Sequence, residues 1–194
     1  MAVRSSNRAR RLVAVLAAGL FALGTGVTAA GAARTPQPTG YAAQVQEAGF
    51  TAKQAKELQA RVDQVIAEDG GTQIAPNKVL WKDGKGDTTI PLPGETRARD
   101  LNQSPAALAA WPYGCNYYNL CLYEGGDFTG LKGSLYDCRE YYVPYYFESY
   151  VNNQTRGTVG AFRNSSHGHI AFTRAAPSSA RYDYGTTTYY VQPC

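Results

Sequence analysis

His167 and His169 are the only two histidines in the 194-residue chain, and metal or proton chemistry would have to start from them. At i, i+2 they would project from one side of a strand and could share a metal ion. No carboxylate or cysteine lies near them in sequence, so a place on a surface loop is the expectation. Neither a His-x-x-x-His zinc helix nor a G-x-S-x-G nucleophile elbow occurs. Glu124 and Asp127 flank a turn and have the look of a carboxylate pair. Nothing around them in sequence would raise one pKa, which leaves them as solvated turn acids. The four cysteines, Cys115, Cys121, Cys138 and Cys194, form an even set that suits two disulfides, with three connectivities open. The expected pairing is Cys115–Cys121, closing a short loop, with Cys138–Cys194 tying down the C-terminal end. A zinc site would call for a Cys-x-x-Cys pair, and there is none. No nucleophile is left over, so the chain is expected to be no enzyme and to need no cofactor.

Recognition is the alternative to catalysis. The group Tyr141, Tyr142, Tyr145, Tyr146, Phe147 and Tyr150 has two readings, an exposed aromatic surface or the tyrosine-rich edge of a core. Asn102, Asn153 and Asn164 begin Asn-x-Ser/Thr triplets, read here as parts of Asn-rich turns.

Disulfides require an oxidising compartment, and the N-terminus provides the route to one. Arg4, Arg8, Arg10 and Arg11 lead into the apolar run LVAVLAAGLFALGTGVTAA and then the small residues AGAA. That is the pattern of a secretory signal peptide over 1–32, cleaved after Ala32. Gly24, Thr25, Gly26 and Thr28 interrupt the run before it could span a bilayer comfortably. The expected location is therefore secreted and extracellular, with no membrane attachment once the signal is removed. Most of the formal charge of +4 leaves with the signal, so no basic stripe remains for a nucleic-acid partner.

The mature chain should position its features as follows. Residues 33–105 form an N-terminal region that opens with a mobile leader containing Pro36 and Pro38. A helix is expected over about 52–69: Thr51 and Gln54 have capping-box spacing, Ala55, Leu58, Val62, Val65 and Ile66 share a face, and Gly70 ends it. A hairpin follows over about 77–92, turning at Asp83-Gly84 and stopped by Pro91 and Pro93, and then a connector. Residues 106–194 alternate short β-prone runs with turns and make up the second domain. The expected fold class is mainly β, a Greek-key sandwich preceded by one amphipathic helix and a short hairpin.

Within CNYYNLCLYEGGDFTG (115–130), Tyr123-x-x-x-x-Phe128-x-Gly130 suits a strand that folds back as a compact hairpin. Tyr123 would cover the hairpin, Phe128 would pack over the fold, and Gly130 would take a backbone angle that a Cβ resists. This pattern resembles the βγ-crystallin Greek-key motif. The wider run through Ser134-Leu-Tyr-Asp-Cys138 resembles a secreted actinobacterial peptidase-inhibitor family, whose members include a metalloproteinase inhibitor with a βγ-crystallin-like fold. The resemblance covers roughly 111–194 and implies a βγ-crystallin-like inhibitor domain. A second motif would start near Phe162, but His167 stands at its second aromatic and Gly168 is one residue out of step.

βγ-Crystallin calcium sites align with Asn152-Asn153-Gln154-Thr155-Arg156-Gly157. Asn152, Asn153 and Thr155 are the weak calcium candidates this implies. Arg156 and Gly157 replace the two hydroxyl residues, removing a ligand and adding a positive charge; the alternative is an Asn-rich turn capping itself. The implied function is a proteinaceous peptidase inhibitor of an extracellular zinc metalloproteinase, acting through a rigid disulfide-held loop. The other reading is a non-catalytic extracellular structural or cell-surface protein with weak calcium affinity.

Overall fold

The structure, a computed structural model, describes residues 40–103, 112–183 and 187–194. The expected signal peptide and its cleavage after Ala32 lie outside the described residues. The first elements are helices α1 (Tyr41–Glu47) and α2 (Ala52–Asp69). Thr51 caps α2: its Oγ1 accepts from Gln54 N–H at 3.2 Å, and Gln54 Oε1 accepts from Thr51 N–H at 2.9 Å. Two otherwise orphaned donors are satisfied in that exchange. Gly70, at φ 79°, ends the helix in a conformation that suits glycine. Ala55, Leu58, Val62 and Val65 form its buried stripe.

Strands β1 (Thr72–Ala75), β2 (Lys78–Leu80), β3 (Gly86–Thr89), β4 (Leu120–Gly125), β5 (Thr129–Leu135), β6 (Tyr141–Tyr142), β7 (Ser149–Asn152), β8 (Ala161–Arg163), β9 (His169–Phe172), β10 (Ser178–Ala180) and β11 (Tyr190–Gln192) follow. They form a seven-stranded sheet, β1-β2-β3-β5-β4-β7-β10, and a four-stranded sheet, β6-β11-β8-β9.

The register assigns residues to faces, because directly opposed residues share one. Val79, Thr88, Gly133, Leu122 and Tyr150 stand in one row across the larger sheet. On this face the helices cover one end: Val45, Ala55, Leu58, Val62 and Val65 pack with Val79, Ile90, Leu92 and Leu131. The smaller sheet covers the other end, where Leu120, Leu122, Leu135, Tyr141, Phe147, Tyr150, Phe162 and Val191 form a second core. Each fully buried large aliphatic is worth on the order of 2 kcal/mol there.

The expected fold class needs correcting. The chain is a mixed α/β protein with two helices packed on sheets of seven and four strands, not a mainly β Greek-key sandwich with one flanking helix. The expected hairpin forms, β2 pairing with β3, and it joins the larger sheet because β3 pairs with β5 from Gly86↔Leu135 to Thr89↔Lys132. The leader also contains α1, held by Val45, which is buried, and by the tip at Phe50. Seven residues with one buried apolar side chain leave no periodicity to read.

Candidate functional site

The opposite face of the larger sheet carries the disulfide motif. Cys121 and Tyr123 point there from β4, and both are fully buried. Cys115 reaches Cys121 in a disulfide with S–S 2.04 Å and Cα–Cα 5.8 Å. The second disulfide joins Cys138 to Cys194. Both expected pairings are therefore present.

Between the first two cysteines the backbone is held by four hydrogen bonds. Asn119 N–H donates to Asn116 C=O at 3.2 Å, and Tyr118 N–H to Asn153 C=O at 2.9 Å. Asn153 returns a bond from its own N–H to Asn119 C=O at 3.0 Å, and its Nδ2 donates to Cys115 C=O at 2.8 Å. Tyr118 takes φ 73°, a left-handed angle held by those bonds. The loop carries Tyr117 and Tyr118 outward, 41% and 62% exposed, with ring centroids 4.1 Å apart. Two amphipathic rings on a stiff loop suit insertion into a partner's groove, because little freedom is lost on binding.

Behind this loop the chain folds back tightly between β4 and β5. Tyr123 meets Phe128 edge-on at 5.6 Å, its hydroxyl donating to Tyr113 C=O at 3.0 Å, and Tyr113 stacks on Phe128 at 3.8 Å. Gly130 sits at φ 76°, where a Cβ would lie 2.9 Å from Glu124 Oε2. Ser149 locks the turn: its Oγ accepts from Phe128 N–H at 3.0 Å and donates to Gly125 C=O at 2.7 Å.

The remaining sequence candidates do not converge. Glu124 Oε2 accepts from Leu131 N–H at 3.2 Å, while Asp127 pairs with Arg97 at 2.9 Å and with Arg181. Asp127 is thus more firmly held than a solvated turn acid. His167 Nδ1 lies 2.6 Å from Glu140 Oε1, and its ring stacks on Tyr190 at 4.2 Å. His169 stacks on Phe172 at 5.1 Å. No group of three or more His, Cys, Asp or Glu suited to a metal occurs among the described residues. Asn152 is buried; its Nδ2 donates to Thr158 C=O, Thr173 Oγ1 and Arg174 C=O, and its Oδ1 accepts from Gln154 Nε2 at 3.0 Å. With Asn153 bound to Cys115 and Thr155 exposed, these three calcium candidates point to different surroundings. Of the tyrosine group, Tyr141, Phe147 and Tyr150 are core, and Tyr142 and Tyr146 are exposed.

One charged cluster has no counterpart in the sequence reading. On the disulfide face, Lys78, Thr89, Lys132, Tyr123 and Ser149 form one row, and Leu80, Asp87, Ser134, Cys121 and Val151 the next. Lys132 is 4% exposed, and its Nζ donates to Gly114 C=O at 2.7 Å. Burial pulls this ammonium down to about 8 against the attraction of Asp87. Burial pushes Asp87 up despite the Lys78 and Lys132 charges, and its Oδ1 is buried without a partner. Lys78 pairs with Asp100 at 2.7 Å. For Asp100 burial acts upward, but the bond and charge of Lys78 win and lower its pKa. These residues lie far apart in sequence and meet only through strand pairing, so no local pattern could have revealed them. Comparison with protein-family models, with curated proteins and with solved structures gives no match for this chain.

Proposed function

We propose that the protein is a secreted, non-catalytic inhibitor of extracellular peptidases, with zinc metalloproteinases as the target class. The observation that carries this reading is the loop between Cys115 and Cys121, two exposed tyrosines on a backbone fixed by a disulfide and four hydrogen bonds. A substrate-like segment inhibits rather than turns over when it binds without needing to be ordered first. The metalloproteinase class comes from the resemblance of CNYYNLCLYEGGDFTG to the actinobacterial inhibitor family.

The test is inhibition of a thermolysin-like zinc protease by the oxidised mature protein, with and without reductant. Tight inhibition supports the reading; its loss on reduction ties it to the disulfides, and its loss on replacing Cys115 and Cys121 alone puts that loop at the interface. No inhibition at micromolar protein, across metallo- and serine proteases, sinks it and leaves an extracellular structural or cell-surface role.

A further inference from the structure

At the seam between the helical layer and the smaller sheet lies a cleft of about 190 Å³, lined by Asp69, Trp81, Lys82, Asp83, Tyr142 and Pro144. Its aromatic wall is fixed in advance of any ligand. Trp81 Nε1 donates to Thr88 Oγ1 at 2.8 Å, and the ring meets Tyr141 edge-on at 6.0 Å. Gly86 lies so close beneath the indole that a Cβ there would sit 2.7 Å from its Cε3. Tyr142 offers a second ring, 59% exposed.

The acidic side of the cleft is poorly arranged for stability. Asp69 is the last residue of the 18-residue helix α2, whose last turn holds no basic residue. A carboxylate there faces the negative end of the helix dipole, where a cation belongs. Among the described residues the Asp69 side chain makes no hydrogen bond or ion pair. The charges facing it are Glu68 on its own helix, Glu124 from β4, and Lys82 and Asp83 at the rim, with the buried Tyr145 hydroxyl also near. Asp83 is already paired with Arg139, and Lys82 lies over Gly70, stem and ammonium both, without forming an ion pair with Asp69.

We propose that this cleft binds an organic cation, an alkylammonium or guanidinium head, using the faces of Trp81 and Tyr142 and the carboxylate of Asp69. Aromatic faces attract such cations, and a half-desolvated carboxylate without a partner supplies the countercharge. Burial first, and then Glu68 and Glu124, hold the Asp69 carboxyl at about 6, above its ordinary 3.8. A bound cation would favour the ionised form, so affinity is full above that pH and falls as the pH drops through about 6. A neutral sugar could also stack on the two rings, but it would leave the unpaired charge uncompensated.

The test is calorimetric titration of the oxidised mature protein with Nα-acetyl-arginine amide and with tetramethylammonium chloride, using methyl glucoside as the neutral probe. The expected result is saturable binding of at least one cation by about 10 mM. Asp69→Asn should weaken it about tenfold or more and abolish its pH dependence, with the melting temperature held or raised. Trp81→Phe, which keeps a ring, should weaken it less than Asp69→Asn does. Equal cation binding by Asp69→Asn overturns the proposal. So does binding of methyl glucoside as tight as that of the cations, or no saturable binding of either cation.

Discussion

The two disulfides differ in almost every respect that matters. Cys115–Cys121 spans six residues, with both cysteines fully buried against Tyr123 and Phe128. Cys138–Cys194 spans 56 residues and ends at an exposed Cys194. Loop-closure entropy rises with the length of chain enclosed, so the long bridge should contribute about 4 kcal/mol and the short one about 2 kcal/mol. The long bridge stabilises the whole fold. The short one shapes a single surface, and its removal should be felt in binding more than in melting.

Four variants separate the two roles. Replacing Cys138 and Cys194 together by alanine should cost about 4 kcal/mol in urea denaturation, while protein that remains folded still inhibits. Replacing Cys115 and Cys121 by alanine should cost about 2 kcal/mol and abolish inhibition of a zinc protease. If the short bridge proves the costlier of the two, the assignment of roles is reversed. Asn153→Ala removes the bond to Cys115 C=O and leaves a buried carbonyl unpaired; about 1–2 kcal/mol should be lost, with faster hydrogen exchange confined to the 115–119 loop. Tyr118→Ala should leave stability within about 0.5 kcal/mol yet raise the inhibition constant at least about tenfold, since the ring is exposed. A Tyr118 variant with unchanged inhibition would move the interface elsewhere.

What could be read from the sequence was local. The Thr51–Gln54 box, the α2 stripe, the Asp83-Gly84 turn and the Tyr123/Phe128/Gly130 hairpin each depend on residues within a few positions of one another, and all are found. Pairing across long separations was not legible. The β3–β5 ladder joins residues more than forty positions apart, and it turns a separate hairpin into part of a seven-stranded sheet. The candidate loop was half visible: its cysteines marked the closure, but the bonds from Asn153 that stiffen it come from a turn beyond β7. In the sequence Asn153 stands only as a weak calcium candidate in an Asn-rich turn, because its spacing from Cys115 has no local meaning.

The lysine row has a consequence for how the sheet is assembled. If β5 slid by one position against β3 and β4, every β5 side chain would change sides. Lys132 would then enter the apolar layer with Leu122 and Tyr150, and Leu131 and Leu135 would turn toward Asp87 and Lys78. An ammonium stranded in such a layer costs several kcal/mol. Lys132 thus works as the tooth of a key, costly to seat and admitting only one alignment of the strands on either side.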